Sequence, residues 1–307
     1  MFNKSFLTKR VVKSLLAMDF DVLLTRGCFN IAAKSVEEKQ RTGKLMLVKT
    51  LINVDGLAPQ QALSLRAVSY FVSAYPLIVS MKTNREFLSS KMIYNRFDLP
   101  VVTPDMFDLI LEEDAYDLQA AKGRHTITID ADALRQTRQK MRFTLEELAR
   151  LIGISKKALY EIEARRVNPT LETAKKLEMT LNTKLQSAYE MKLAKETRIK
   201  PQGIFQAKVS KELARLSIDN SAVYSAPFEI IGKEDFQLIT GLSINTKKIR
   251  RDAQSVKKIS QIFSSEAFYV AKHAEEKEVD GVPIIQEDEL PEVNNAKELK
   301  KLIEEKI

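Results

Sequence analysis

Lys156 and Lys157 stand side by side, Ser155 precedes them, and Tyr160 follows at i+4 from the first lysine and i+3 from the second. In a helix that starts after Ser155, the three long side chains share one face. The unpaired amides of a helix start give that end a partial positive charge, so a helix selected for stability alone carries Asp or Glu there. Two lysines in that place cost stability unless an anion docks. The chemistry they suit is capture of phosphate oxygens, with Tyr160 and Ser155 at hand for a base edge or the backbone. Arg165, Arg166 and Asn168 follow, and Thr144 precedes; all four are types that hold phosphate oxygens. Glu161 is placed either to accept from a cytosine amino group or to pair with Lys157 one turn back.

The elements that must position these groups are legible in the spacing. Thr144 with Glu147 three residues later is a capping box and starts a helix. Leu145, Leu148, Ala149 and Ile152 form its apolar stripe, and Gly153 supplies the positive φ that stops it. Ser155 caps a second helix whose Leu159 and Ile162 face the same core. Two short helices joined by a glycine turn make a helix-turn-helix. Pro169 opens the next helix, with Leu171, Ala174, Leu177 and Leu181 on its buried side; Leu185, Tyr189 and Leu193 extend it or form another.

This constellation resembles the helix-turn-helix of Cro and lambda-repressor type regulators, the XRE family, over residues 132–181. Leu134, Arg135 and Arg138 look like the family's first helix, Glu146, Glu147, Leu148 and Ala149 like its second, and Gly153, Ile154 and Ser155 like the turn. Glu163 resembles the acidic residue closing the recognition helix, and Pro169 the proline opening the next. The chain departs from the pattern at Leu145, where the family usually has Gln, and at Arg165, where it usually has Gly. Arg165 is therefore either an added phosphate contact or the mark of a different loop. The resemblance implies double-stranded DNA as partner and a homodimer reading half-sites about one helical turn apart.

Charge agrees with a polyanionic partner. The 307 residues carry a net charge of +8, of which 131–185 alone hold +5. One cysteine, Cys28, excludes an intramolecular disulfide framework and suits a reducing compartment, and Cys28, His125 and His273 make no zinc-ligand spacing. No cofactor or metal is expected. There is no phosphate-loop or paired-glycine fingerprint and no nucleophile placed beside a histidine. The acidic runs Asp105 with Glu112, Glu113 and Asp114, Glu275 to Glu278 and Glu287 to Glu289 read as solvated faces. No apolar run is long enough to span a membrane, and a cytoplasmic protein is expected.

On either side of the helical segment the pattern is α/β. Phe6 to Met18 is helical. Val22 to Leu24, Phe29 to Ala33, Leu45 to Ile52, Leu77 to Val79 and Leu99 to Val102 read as strands, with a helix from Pro59. A strand, helix and strand of these lengths predict a crossover and a mostly parallel sheet. With an offset of 191, Leu51, Ala62, Val68, Phe71, Val72, Ile78 and Val79 fall on Leu242, Ala253, Ile259, Ile262, Phe263, Tyr269 and Val270, apolar at all seven pairs. After an eight-residue deletion, Leu99 to Val102 falls on Val282 to Ile285. The pattern predicts an internal repeat. The expected fold is two similar small α/β domains, 1–113 and 203–307, flanking an all-α helix-turn-helix domain, 128–185, with linkers at 114–130 and 186–202.

The first domain's order of elements is also similar to the restriction-endonuclease and Holliday-junction-resolvase fold. That resemblance implies a metal held by an Asp on one strand and by an acid two residues before a Lys on the next. Here the strands read Phe29-Asn30-Ile31-Ala32 and Leu47-Val48-Lys49, and only Lys49 fits; the offset puts Leu238, Ile239 and Thr240 at the second strand of the other copy. No enzyme is expected. The tandem order as a whole resembles archaeal HTH-type transcriptional regulators, and a sequence-specific regulator is the reading, with a nuclease relative and a protein-binding scaffold as rivals.

Overall fold

The computed structural model describes residues 3–36, 44–113, 115–121, 124–244 and 246–306. Asp114, the end of the first acidic run, lies outside them. In chain order the elements are α1 (Lys4–Ala17), β1 (Phe20–Leu24), β2 (Ile31–Ser35), β3 (Leu45–Asn53), α2 (Pro59–Phe71), β4 (Tyr75–Lys82), β5 (Tyr94–Arg96), β6 (Leu99–Val102) and α3 (Pro104–Leu111). A hairpin, β7 (Leu118–Ala121) and β8 (Arg124–Ile127), leads to α4 (Ala131–Lys140), α5 (Leu145–Ile152), α6 (Lys156–Glu163) and α7 (Leu171–Leu181). The chain ends with α8 (Ile204–Arg215), β9 (Asp219–Ala222), β10 (Ile230–Lys233), β11 (Gln237–Ser243), α9 (Thr246–Phe263), β12 (Glu266–Ala271), β13 (Glu278–Val279), β14 (Val282–Gln286) and α10 (Ala296–Glu305). The chain falls into two compact units: residues 1–79 together with 192–307, and residues 80–191.

In the first unit, β1, β2, β3 and β4 lie in that order, and a second sheet runs β9-β10-β11-β12-β14-β13. The two halves repeat one plan: a helix, three strands, a crossover helix, then a strand. Neither sheet is mostly parallel: β1, β2 and β3 pair antiparallel, as do β9, β10 and β11. In the second sheet β11, β12 and β14 are parallel. A crossover helix fixes only the pair of strands it joins, and the short loops around it make antiparallel hairpins. Leu7, Val11 and Leu15 bury the inner stripe of α1, which packs on β1 and β3. In the second half Val209 and Leu213 of α8 and Leu299 and Ile303 of α10 close over Leu238, Phe268, Val270 and Ile285.

The halves meet within this unit. The Cys28 amide donates to the Ser225 carbonyl at 2.5 Å. Phe29 lies 6.1 Å from Phe263, ring to ring. Lys34 Nζ donates to Ser264 Oγ at 2.7 Å, and the Tyr224 amide to Ser64 Oγ at 3.0 Å. Gly27 makes this approach feasible: its φ is +130°, and a Cβ there would sit 1.9 Å from the Ser225 carbonyl oxygen.

In the second unit, α4 to α7 enclose Leu134, Leu148, Ala149, Ile152, Leu159, Ile162, Ala174, Leu177 and Leu181, with Leu118, Ile127, Ile129 and Leu185 added from the segments before and after. The stretch read as a linker at 114–130 therefore supplies a hairpin and core residues. It reads as polar because its strands alternate, putting Gln119 and Thr126 between the apolar positions. Helix α7 ends at Leu181, where Asn182 turns left-handed with φ 46°, so Leu185, Tyr189 and Leu193 neither extend it nor form another helix. Glu178 fixes the chain beyond it by accepting from the amides of Leu185 at 2.7 Å and Gln186 at 3.0 Å.

Candidate nucleic-acid interface

The frame of the interface is set by α4, α5 and α6. Asp130 caps α4 by accepting from the amides of Asp132 and Ala133 at 3.0 and 2.9 Å. Across the unit, Arg138 on α4 meets Glu163 at the end of α6 through two parallel hydrogen bonds, Nε at 2.6 Å and Nη2 at 2.9 Å. Its third nitrogen donates to the Phe143 carbonyl at 2.9 Å. The carboxylate holds the guanidinium's pKa above its usual value. Small Ala149, nearly fully buried, lies on the α5 face that packs on this core.

The capping box at α5 is complete. Thr144 Oγ1 accepts the Glu147 amide at 3.2 Å, and Glu147 Oε2 accepts the Thr144 amide and hydroxyl, each at 2.8 Å. These bonds, the amide's first, hold the Glu147 carboxyl below its usual pKa. Gly153 takes φ 77° and ends α5. Ser155 Oγ accepts the Ala158 amide at 3.1 Å and starts α6, whose first turn contains no acidic residue.

Thr144, Ser155, Lys156, Lys157, Tyr160, Arg165, Arg166 and Asn168 are all exposed, and Glu161 is half-buried. Lys156 and Lys157 fill the first turn of α6 beside unpaired amides. Lys156 Nζ is 3.8 Å from Glu146 in open solvent, and Lys157 makes no ion pair among the described residues. Tyr160 is 47% exposed, and the Arg166 guanidinium sits 5.6 Å above its ring. Glu161 meets Arg166 at 3.4 Å, not Lys157. Arg165 adopts φ 58°, the left-handed conformation for which glycine is the usual choice, and its guanidinium contacts Asp132. Asn168 Nδ2 donates to Thr128 Oγ1 at 3.3 Å. Two ammonium groups, a helix N-terminus and an aromatic thus share one solvent-facing surface. The sequence did not announce the Asp132, Glu146 and Arg166 contacts, because each joins residues brought near by helix packing or a loop.

The nuclease-like positions have a different character. Asn30 Oδ1 accepts the Thr50 amide at 3.1 Å, and Lys49 is buried with Nζ donating to the Gly27 carbonyl. Burial lowers the Lys49 pKa and pushes the neighbouring Cys28 thiol up to about 12. In the second half Glu229 takes the place of Asn30: its Oε2 accepts the Leu242 amide at 2.6 Å, as Asn30 accepts that of Thr50. The offset of 191 missed it: by these bonds Leu242 stands for Thr50, not for Leu51 as that offset had it, and the β2–β3 and β10–β11 connections differ in length, so no single offset aligns both sides. Lys248 from α9 neutralises Glu229 and donates to the Leu242 carbonyl at 2.9 Å; burial raises the Glu229 pKa. Among the described residues no three His, Cys, Asp or Glu are grouped to hold a metal ion, and no helix is long and apolar enough to cross a membrane.

Residues 134–187 match the helix-turn-helix family, and residues 4–116 match the PD-(D/E)XK superfamily domain. No solved structure matches the chain. Among curated relatives, each carrying the name "Putative HTH-type transcriptional regulatory protein", one from Pyrococcus abyssi is 31% identical over 91% of this chain and 89% of its own length. One from Thermococcus kodakarensis is 28% identical over 92% of this chain and 88% of its own, and one from Archaeoglobus fulgidus 26% identical over 98% and 97%. With a helix-turn-helix in its middle, a PD-(D/E)XK-like segment over its first third and near full-length similarity to these proteins, the chain belongs to the family of archaeal HTH-type transcriptional regulatory proteins.

Proposed function

We propose that this protein is a transcription regulator that reads a specific sequence in double-stranded DNA with α6. The single observation carrying the proposal is the first turn of α6: Lys156 and Lys157 stand exposed beside free helix amides with no acidic residue in the turn. Lys156, Lys157 and Tyr160 enter the major groove, Ser155 meets a base or the backbone, and Glu161 accepts from cytosine. Arg165, Arg166 and Asn168 hold phosphates, while Thr144, expected to join them, has given its amide and hydroxyl to Glu147. Selection from random duplexes tests it. A recovered motif supports the reading, and a selection that returns no motif overturns it.

The protein works as a homodimer, each copy contributing one reader, on half-sites spaced about 34–36 Å apart. Because α7 stops at Leu181, the α/β domains are the elements left to join the copies. Sedimentation of the free chain and of its complex with a two-half-site duplex checks this. The α/β domains, 1–113 and 203–307, descend from one duplicated unit.

A nuclease is the second reading, favoured by the PD-(D/E)XK match at residues 4–116. Against it stand the uncharged Asn30 and Leu47 and the turning of Lys49 onto a backbone carbonyl. Cleavage of duplex or branched DNA with magnesium or manganese, lost on Lys49→Ala, would establish it.

A further inference from the structure

The crossover helix of the second half, α9, holds six Lys and Arg residues and a single acid, Asp252, over 18 residues. Its counterpart α2 crosses between the equivalent strands of the first half with one cation, Arg66, and no acid. The fold therefore makes this helix without the charge. Ile249, Ala253, Val256, Ile259 and Phe263 bury the inner side of α9. At 100° per residue, Lys247, Arg251 and Lys258 fall in one row on the opposite side, all exposed. Lys248 turns inward to Glu229, and Arg250 is taken by Glu276. Lys247 and Lys258 make no ion pair among the described residues, and Arg251 meets only its neighbour Asp252 while staying 72% exposed.

We propose that this row is a second DNA contact, one that grips phosphates and reads no sequence. The row extends about 16 Å along the helix, and a duplex offers one negative charge per about 1.7 Å of its axis. Like charges held in line repel, and the first turn of α9 adds the helix's own positive end with no acid to offset it. A duplex backbone is the polyanion at hand, given the reading of α6 on which this proposal rests. Its role is to raise affinity for any duplex while α6 supplies the choice among them.

The test uses the full chain with Lys247, Arg251 and Lys258 changed together to Ala, alone and combined with Lys156→Ala/Lys157→Ala. Binding is titrated against salt on the selected duplex and on an unrelated one. The triple variant is expected to bind both duplexes on the order of a hundredfold more weakly at 0.1 M salt, with the slope of log affinity against log salt reduced by about 2.7, while the preference between duplexes is unchanged. In the double-lysine background, preference is expected to fall while residual binding survives, and the triple change is expected to weaken that residual binding on both duplexes with the same reduction in slope. An unchanged slope overturns the α9 proposal and leaves α6 untouched. A preference left unchanged by the Lys156 and Lys157 changes overturns the α6 reading, and the slope then still decides on α9. A wild-type chain that ignores both duplexes overturns both.

Discussion

Arg138 and Glu163 form a two-bond ion pair, 10% and 6% exposed, tying α4 to the end of α6. Removing one partner strands the other charge away from water. Arg138→Met is expected to cost about 3–5 kcal/mol, and Arg138→Met with Glu163→Leu to recover most of it. Urea unfolding of the two single variants and the double checks this, and a double variant as unstable as the worse single would refute it.

Tyr160 and Arg166 touch through the ring face, so their effects on DNA binding are coupled. On the selected duplex, Lys156→Ala or Tyr160→Ala is expected to cost roughly 1–3 kcal/mol and to relax sequence preference, while Arg166→Ala weakens all duplexes. The double change at 160 and 166 should cost less than the two singles added together. Equal losses on every duplex from Lys156→Ala and Tyr160→Ala would remove them from the base-reading surface.

Arg165 bears the backbone strain of φ 58° for an exposed contact with Asp132. Arg165→Gly is expected to stabilise the chain by about 1 kcal/mol, because glycine relieves the left-handed strain and an exposed ion pair contributes little. The same change should lower DNA affinity if Arg165 holds a phosphate. Paired melting and binding measurements separate the two effects.

Gly27→Ala places a methyl group on the Ser225 carbonyl. Something in the joint between the halves must move, and a loss on the order of 3 kcal/mol or more is expected. Chemical denaturation followed through a probe in the first unit measures it; a change under about 1 kcal/mol would show that the joint yields easily.

Glu229 gives a pH dependence of defined sign. Its folded pKa lies above the ordinary 4.5, chiefly through burial, with Lys248 opposing the rise. Such a group contributes fully below 4.5, and its contribution is lost as pH climbs through the raised value. Lys248→Met removes the opposing ammonium, so the variant should lose more stability than the parent between pH 5 and pH 8. Urea midpoints at the two pH values provide the comparison, and parallel curves would contradict it.

The helical unit was the most legible part of the chain, because its signals are local. The capping box, Gly153 and Ser155 each act within a few residues, and all three stand where their spacing put them. In and beside the crossover helices Ala62, Val68 and Val72 are buried, as are Ala253, Ile259 and Phe263 at the offset of 191, and that recurrence is the signal behind the expected repeat. The antiparallel strands of each sheet were not legible, since a crossover helix fixes only the pair it joins and the strands before it are linked directly as hairpins. Nor was Glu229, which reveals its equivalence to Asn30 only through the amide each accepts. The basic row of α9 was visible in Lys247, Arg251 and Lys258, but only the helix's buried side shows which way they point.

The meeting of Gly27 and Cys28 with Ser225 joins the two sheets inside a single polypeptide. Two such halves on separate chains would part on dilution, whereas here tethering keeps each at a high effective concentration near the other. Their one-to-one stoichiometry is therefore written into the gene product, whatever the concentration of the chain.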